Sequence, residues 1–379
     1  MQFGFHRQMN NWNRQLSYSR LLEDLREQAK FVDDDSGFDA IWLAEHHLGP
    51  EGLSNSPNPI LVGADIAAHT KRVQIGMSCV TVTVWNPIRL AEDLAILDHM
   101  SKGRLEVGFG RGGFHRDTAI FNMNADPRNE TISRELMYEN IDIILKAWTN
   151  EFFSHQGPNY LIPPPNIPHH TFSATEREYV TNGDITKICV VPKPYQQPHP
   201  PLWMMVSSEK SVRYAAENGM NAMSAGLSTD TLSELVDIYA QIRTQKEGRE
   251  YQRGECWAVS RPAHVAVTME QARKNFEEPL LRQHNYQAHY RDDPQAFLKT
   301  IYGNPNERSG SNIEITWQFL LDRSSFAGSP EDVIEQIANL QEKTGIGYIS
   351  CYMDPGGIPH KDIMSSIELF ASNVIPAFK

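Results

Sequence analysis

The sequence is poor in cysteine, and its cysteines are not paired along the chain. The four cysteines, Cys79, Cys189, Cys256 and Cys351, are widely scattered, and no two of them form a CxxC pair. In a chain of 379 residues, this pattern predicts reduced, buried thiols rather than a disulfide framework.

The chain also lacks an excess of positive charge and long apolar runs. Its formal net charge of −12 argues against a nucleic-acid partner, because binding phosphates requires a basic surface. No apolar run is long enough to span a membrane, and the first residues, MQFGFHRQMNNWNRQ, lack the apolar segment of a signal peptide. We therefore expect a cytoplasmic protein.

The sequence does contain a repeated alternation of short apolar runs and amphipathic segments. Strands are predicted at residues 2–6, 40–43, 73–82, 105–109, 202–205, 221–224, 258–267 and 348–352. Helices are predicted at residues 19–34, 60–69, 87–100, 133–148 (with Ser133 as the N-cap), 208–218, 231–244 and 330–344. Strand–helix units with short connections predict parallel strands, which fits a doubly wound sheet or a (β/α)8 barrel.

Two stretches are predicted to be insertions into this pattern. Residues 152–200 are rich in Pro, His and Asn, and their Asn182-Gly183 dipeptide predicts a type I′ hairpin turn. Residues 277–323 are long, polar and weakly periodic. A structureless segment of that length is usually a lid or a disordered loop.

The stretch WLAEHHLGP places Glu45, His46 and His47 directly after the second predicted strand. A metal site needs further ligands, but adjacent side chains diverge, and no HExxH motif is present. Another candidate ligand, His115, is followed by Arg116, which disfavours a cation there. Catalytic groups in barrels follow the carboxyl ends of strands, so we favour a proton-transfer role for one of the two histidines over simple packing.

Two further stretches contain candidate anion-binding groups. In GFGRGG, glycines allow close backbone approach and Arg111 could bind an anion with two hydrogen bonds, although the run does not match GxGxxG or a P-loop. After the strand at residues 202–205, Ser207, Ser208 and Ser211 stand at the predicted start of a helix. Such a start can bind phosphate, but an ordinary serine N-cap is the interpretation that this stretch alone favours.

Three blocks of the sequence together resemble a known family. They are WLAEHH, RLAEDLAILDHMSKGRLEVGFGRG, and the ending GIGYISCYMDPGG with SIELFASNVIPAFK. In these blocks the chain resembles the bacterial luciferase-like flavin monooxygenases, which are (β/α)8 TIM barrels that bind reduced flavin mononucleotide (FMN) or, in some branches, the deazaflavin F420. The resemblance implies a single domain over residues 1–379, with insertions at about 152–200 and 277–323.

The resemblance also implies roles for individual residues near the flavin. His46 matches the catalytic histidine of the luciferase α subunit, and Ser78 with Cys79 matches a non-prolyl cis peptide beneath the flavin ring. Gly110 stands where the luciferase has a reactive cysteine, and this difference argues against light emission from an aldehyde.

The remaining residues that the resemblance identifies are phosphate contacts. Arg111 matches an arginine that contacts the flavin phosphate. Ser207, Ser208 and Ser211 fall where the family has its other phosphate contacts, and Ser207 replaces an acidic residue there. The resemblance therefore places the phosphate at Arg111 and the serines.

The function implied is that of a two-component monooxygenase. A separate reductase would supply FMN in its reduced form, FMNH2, and O2 would be activated as a flavin C4a-peroxide to oxygenate an aldehyde, a ketone or a natural-product intermediate. The alternatives are an F420-dependent oxidoreductase of the same fold, a non-catalytic flavin-binding protein, and a metal-dependent hydrolase using His46, His47 and His115. We expect no metal, and a homodimer that pairs through the helices at residues 60–69 and 87–100.

Overall fold

The structure is a computed structural model, and it describes most of the chain. Asp35, Ser54, residues 170–175, residues 305–309 and Ser311 lie outside the described residues, as does the side chain of Glu176. The described chain divides into two compact units. Unit 1 comprises Met1–Val80, Glu106–Gly108 and Pro201–Lys379, and unit 2 comprises Thr81–Leu105 and Phe109–Pro200.

Eight parallel strands, counted over the described residues, form a closed barrel. They are β1 (Gln2–Arg7), β2 (Ala40–Leu43), β3 (Gln74–Thr81), β4 (Leu105–Gly110), β5 (Leu202–Met205), β6 (Asn221–Ala225), β7 (Trp257–Val265) and β8 (Tyr348–Tyr352). The hydrogen-bonded order runs β6-β5-β4-β3-β2-β1-β8-β7, and β7 pairs back with β6. A short strand, Phe326–Gly328, extends the sheet beside β7. The predicted TIM barrel is confirmed, and the doubly wound alternative is wrong.

Helices fill the connections between these strands. They are α1 (Tyr18–Asp33), α2 (Pro59–His69), α3 (Pro87–Ser101), α4 (His115–Thr118), α5 (Glu130–Thr149), α6 (Glu176–Tyr179), α7 (Glu209–Glu217), α8 (Thr229–Glu247), α9 (Met269–His289), α10 (Pro294–Ile301), α11 (Trp317–Arg323), α12 (Pro330–Thr344) and α13 (His360–Leu369). No described helix has both the length and the apolar character that a membrane span requires.

Side-chain caps fix where several helices begin. Ser208 and Ser329 each form a capping box at the start of α7 and α12, which satisfies backbone N–H groups that have no partner within the helix. The prediction that Ser133 caps the fourth long helix was wrong. Asn129 is the cap, with its side chain accepting from the backbone of Ile132, and Ser133 lies inside the first turn, bonded to the Asn129 carbonyl.

Large aromatic side chains fill the lower interior of the barrel. Trp42 lies edge-on to Trp203, with ring centroids 5.3 Å apart, and donates to the Tyr348 hydroxyl at 2.9 Å. Two glycines make room for the Trp42 ring, because a Cβ at Gly4 would lie 2.6 Å from it and a Cβ at Gly76 would overlap it. The barrel is therefore a packed core at this level, as is usual for the fold.

Unit 2 is organised around α3 and α5. Trp148 on α5 donates to the Ala91 carbonyl on α3 at 3.0 Å. The predicted turn at Asn182-Gly183 is confirmed, because both residues have positive φ and join the antiparallel strands Val180–Thr181 and Asp184–Ile185. The insertion at residues 152–200 thus contains regular structure at this turn.

The expectation that residues 277–323 lack regular structure was wrong. The segment contains the second half of α9, all of α10 and α11, and residues 305–309 and Ser311, which lie outside the described residues. Helix α9 buries Gln283 and His284 beside its apolar residues and has Pro279 in its interior. Because polar residues share the buried face, the apolar spacing that identifies a helix is interrupted in the sequence.

Candidate active site

His46 lies just beyond the carboxyl end of β2. Its backbone N–H donates to the Ser56 carbonyl at 3.0 Å, which ties the start of the β2–α2 connection to its later part. The side chain is partly exposed. A histidine at this end of a barrel strand occupies the position from which barrel enzymes direct catalytic groups at a ligand.

Glu45 and His47 form a pair beside His46. The Glu45 carboxylate, which is only 4 % exposed, accepts from His47 Nε2 at 2.8 Å. A buried carboxylate that holds the ring nitrogen of a neighbouring histidine fixes the orientation of that ring. This geometry fits the interpretation that Glu45 orients a neighbour and that His47 supports the site.

Ser78 and Cys79 are joined by a cis peptide bond, as the resemblance implied. They lie near the carboxyl end of β3, the neighbour of β2, where Leu43 is in register with Met77. The Ser78 hydroxyl contacts the Met223 sulfur on β6 at 2.8 Å. Burial, together with the nearby Glu45 carboxylate, raises the pKa of the Cys79 thiol to about 12, so this thiol stays protonated at neutral pH and is not a nucleophile.

The three predicted serines meet at the start of α7. The Ser211 hydroxyl accepts from the backbone N–H groups of Ser207 and Ser208 at 3.2 and 3.1 Å, and donates to the Ser208 carbonyl at 2.8 Å. The capping interpretation is therefore confirmed as local structure. Both backbone donors are satisfied by the Ser211 hydroxyl here, so a phosphate at this helix N-terminus would replace that hydroxyl as their acceptor.

Gly110 and Arg111 belong to unit 2, where Gly110 is the last residue of β4. The Arg111 guanidinium donates to the Ser133 hydroxyl at 2.9 Å and to the Pro127 carbonyl at 3.3 Å. Burial, and then the nearby Arg134 charge, lower the pKa of Arg111. These contacts hold a half-buried guanidinium in a fixed position, as an anion ligand requires.

The described residues contain no group of three or more His, Cys, Asp or Glu side chains that could hold a metal ion. A family model for luciferase-like monooxygenases matches residues 1–346 of the chain. The chain belongs to the luciferase-like monooxygenases. As a member of this family it is an oxidoreductase.

Individual relatives of this luciferase-like monooxygenase are distant but cover nearly the whole chain. An alkanal monooxygenase alpha chain from the Kryptophanaron alfredi symbiont is 25% identical over 369 residues, covering 92% of this chain and 90% of the relative. The oxygenase component of a flavin-dependent trigonelline monooxygenase from Acinetobacter baylyi is 25% identical over 381 residues, covering 100% and 96%. The oxygenating constituent of 3,6-diketocamphane monooxygenase from Pseudomonas putida, solved with FMN, has a TM-score of 0.77, 20% identity and coverage of 100% and 99%.

Sequence reasoning missed one histidine in the interior of this luciferase-like barrel. His6 on β1 is buried, and its Nδ1 lies 2.8 Å from the Ser260 hydroxyl on β7. Burial, and then the charges of His46 and Arg7, lower the pKa of His6 to about 3. His6 is therefore neutral at physiological pH. A lone histidine on the inward-facing positions of an apolar strand was the available signal.

A second missed group is the Glu106 carboxyl on β4. It accepts from Trp203 Nε1 at 2.6 Å, and burial raises the pKa of Glu106 to about 7. The residue borders the aromatic side chains of the lower barrel interior (Trp42, Trp203 and Tyr348), which we call the barrel floor. In the sequence it stands two residues after Arg104, in the KGRLEVG run. An acidic residue within an otherwise apolar strand could have identified it.

Proposed function

We propose that this chain is the oxygenase component of a two-component monooxygenase that uses FMNH2 from a separate flavin reductase. In this proposal the chain oxygenates a small organic substrate. The name of the trigonelline relative, an oxygenase component, supports the two-component arrangement. The diketocamphane oxygenase that shares the fold was solved with FMN, which supports FMN as the flavin. Reduced flavin supplies the reaction with O2, and the protein supplies binding, orientation and exclusion of water.

The observation that carries the proposal is the arrangement at the ends of β2 and β3. His46 follows one strand and the Ser78–Cys79 cis peptide lies in the next, with Leu43 and Met77 in register between them. The serine cluster at α7 supplies backbone donors suited to a phosphate. Within unit 1, we assign the phosphate of the flavin to Ser207, Ser208 and Ser211, and its ring to Ser78 and Cys79. For unit 2, the assignment of Arg111 to the phosphate and of Gly110 to the ring rests on the family resemblance alone.

His46 is assigned to proton transfer at the reacting end of the flavin. An imidazole can accept or donate a proton near neutral pH, so it suits both directions of transfer in an oxygenation cycle. Glu45 and His47 stay paired beside it. His6, which is neutral and lies near His46, adds no positive charge to its surroundings.

Helix α9 is suited to exclude water from the mouth of the barrel. Its Arg282 donates to the Gly356 carbonyl after β8 at 2.6 Å and stacks over the Trp12 ring after β1 at 4.7 Å. The hydroxyl of Tyr290, the residue directly after α9, bonds to Glu51, in the connection after β2. One helix therefore contacts the loops that follow three barrel strands, which supports a lid role for this part of residues 277–323.

Stopped-flow absorbance tests the proposal. The protein is mixed anaerobically with photoreduced FMN and then with aerated buffer, in the presence and absence of candidate substrates. We expect a transient spectrum that differs from those of free reduced and oxidised FMN. In His46→Asn it should decay about 10²-fold faster or give correspondingly less product, while FMN binding persists. His69→Asn, at an exposed histidine on α2, is the matched control.

Reoxidation at the rate of free flavin under all these conditions would contradict the FMN proposal. Tight binding of F420 in place of FMN would instead favour the F420-dependent alternative. A transient that is identical in wild type and His46→Asn would leave the flavin assignment intact but remove His46 from the reaction. Product formation from oxidised FMN and NAD(P)H only after a flavin reductase is added, together with product formation from photoreduced FMN without it, would support the two-component arrangement.

We also propose that the protein is a homodimer. Ile96 and Met100, one turn apart on α3, are exposed apolar residues, and exposed apolar side chains on neighbouring turns are typical of association surfaces. Sedimentation velocity should give the mass of two chains. Ile96→Glu should shift it to that of one, and a monomeric wild type would contradict the proposal.

A further inference from the structure

Arg261 on β7 is a buried guanidinium whose charge no described residue neutralises. It is 3 % exposed, and its Nη2 donates to the Thr229 hydroxyl at 2.9 Å. Its Nε is buried without a partner. Burial lowers the pKa of Arg261 to about 9, with no neighbouring charge contributing. The group is therefore still a cation at neutral pH.

The other buried arginines in the described chain are all paired with carboxylates. Arg7 on β1 pairs with Asp354, Arg134 with Glu130 at 2.6 Å, and Arg243 with Glu247 at 2.6 Å. Removing a charge from water is costly, and proteins compensate for it with an opposite charge or a bound ion. Arg261 is the exception, so its neutralising group must come from outside the described residues.

The surroundings of Arg261 favour an anion with oxygen atoms. Thr229, its partner, is the first residue of the long helix α8, whose N-terminus carries a partial positive charge. The Phe326 ring lies 5.2 Å from the guanidinium carbon. A cation and a helix start together provide donors and no acceptor charge.

This group is separate from the flavin residues assigned above. The preceding residue, Ser260, bonds to His6 inside the barrel. Side chains alternate along a strand, so Arg261 projects to the outer side of β7, toward α8. The ligand therefore does not compete with the flavin ring in the barrel interior.

We propose that Arg261, Thr229 and the start of α8 form a binding site for a small oxyanion. The ligand class is a carboxylate or a phosphate, which have in common two or more oxygens that can accept from the guanidinium fork. This site goes beyond the proposed monooxygenase function and does not depend on it.

Thermal unfolding at constant ionic strength tests the site. The probes are inorganic phosphate and benzoate, each at about 50 mM and compared with chloride. We expect at least one of them to raise the wild-type Tm by about 2–4 °C, and which one does so distinguishes phosphate from carboxylate. In an Arg111→Met background, which disables the proposed flavin phosphate site, Arg261→Met should abolish this rise. In chloride the Tm of the Arg261→Met single variant should equal or exceed that of wild type, because an uncompensated charge has been removed.

Two variants separate this site from the flavin phosphate site and from simple packing. Arg111→Met, at the proposed flavin phosphate site, should keep the anion-dependent rise in Tm. If the rise is lost in Arg111→Met and persists in Arg261→Met, the proposal is overturned. Arg261→Lys keeps the positive charge but loses the two-pronged guanidinium, so the anion-dependent rise in Tm should fall by at least half. This variant tests the site if Arg261→Met does not fold. An undiminished rise in Arg261→Lys, or no rise in wild type with either probe, would also overturn it.

Discussion

Glu106 should make the stability of the barrel depend on pH in a direction opposite to that of most carboxylates. Burial raises its pKa from the ordinary 4.5 to about 7. A raised pKa means that the native state holds this proton more tightly than the unfolded state does. The resulting contribution to the free energy of unfolding is fully present below pH 4.5 and is lost as the pH rises toward 7. Most native carboxylates have lowered pKa values and lose stability on acidification instead.

The size of this effect follows from the pKa and the exposure of the side chain. At about 1.36 kcal/mol per pKa unit, the rise corresponds to about 3 kcal/mol. The residue is only partly buried by surface area, so solvent relieves some of the cost, and about 1–2 kcal/mol remains. Glu106→Gln keeps an oxygen that accepts from Trp203 Nε1 and cannot ionise. We therefore expect the variant to match wild type near pH 5 and to exceed its stability by about 1–2 kcal/mol near pH 8.

Urea unfolding from pH 5 to pH 8 measures this difference directly. The control is Glu250→Gln, at an exposed glutamate. Its free energy of unfolding should differ from that of wild type by the same amount at every pH in this range. If the stability difference for Glu106→Gln is equally flat, the carboxyl is already ionised in the native barrel floor, and the reasoning from burial fails. Trp203→Phe should have the opposite effect, because its hydrogen bond lowers the pKa of Glu106; without it, stability should fall more steeply between pH 5 and pH 8 than in wild type.

Equilibrium unfolding also tests three other changes. Gly76→Ala should cost about 1–3 kcal/mol because its methyl overlaps the Trp42 ring; a neutral result would mean that the indole can move. Ser329→Ala should cost about 1 kcal/mol through loss of the α12 cap, and no change in Tm would contradict this. Asp354→Asn should cost about 3–5 kcal/mol by leaving Arg7 buried without its carboxylate; a change of less than about 0.5 kcal/mol would show that the ion pair is solvated.

Regular elements with strong local signals could be predicted from the sequence to within a residue or two. Helix α12 was predicted with both of its bounds, because Pro330 occupies the first turn and Gly345 takes a positive φ after the last turn. Helix α9 was missed because Gln283 and His284 lie on its buried face. Local chemistry marks helix ends well, whereas a buried polar residue is decided by tertiary contacts.

The residues of the candidate site also divide into those that the sequence identified and those that only the structure revealed. His46 and the Ser78–Cys79 peptide were identified through family resemblance and not through spacing. His6 and Arg261 were not identified, although each is a polar residue in a buried strand. Such a residue reads the same in a sequence whether it is paired, as His6 is with Ser260, or left without a counter-ion, as Arg261 is. Only the three-dimensional neighbours distinguish the two cases.

The edge-on indoles in the barrel floor give the protein an internal optical reporter. Trp42 and Trp203 lie with ring planes 81° apart, close enough for their excited states to couple, so the pair should contribute to near-ultraviolet circular dichroism only while the barrel is closed. Because Trp203 also donates to Glu106, protonation of that carboxyl should shift the indole emission. Spectroscopy of the unlabelled protein can therefore follow barrel closure and the charge state of its floor in the same sample.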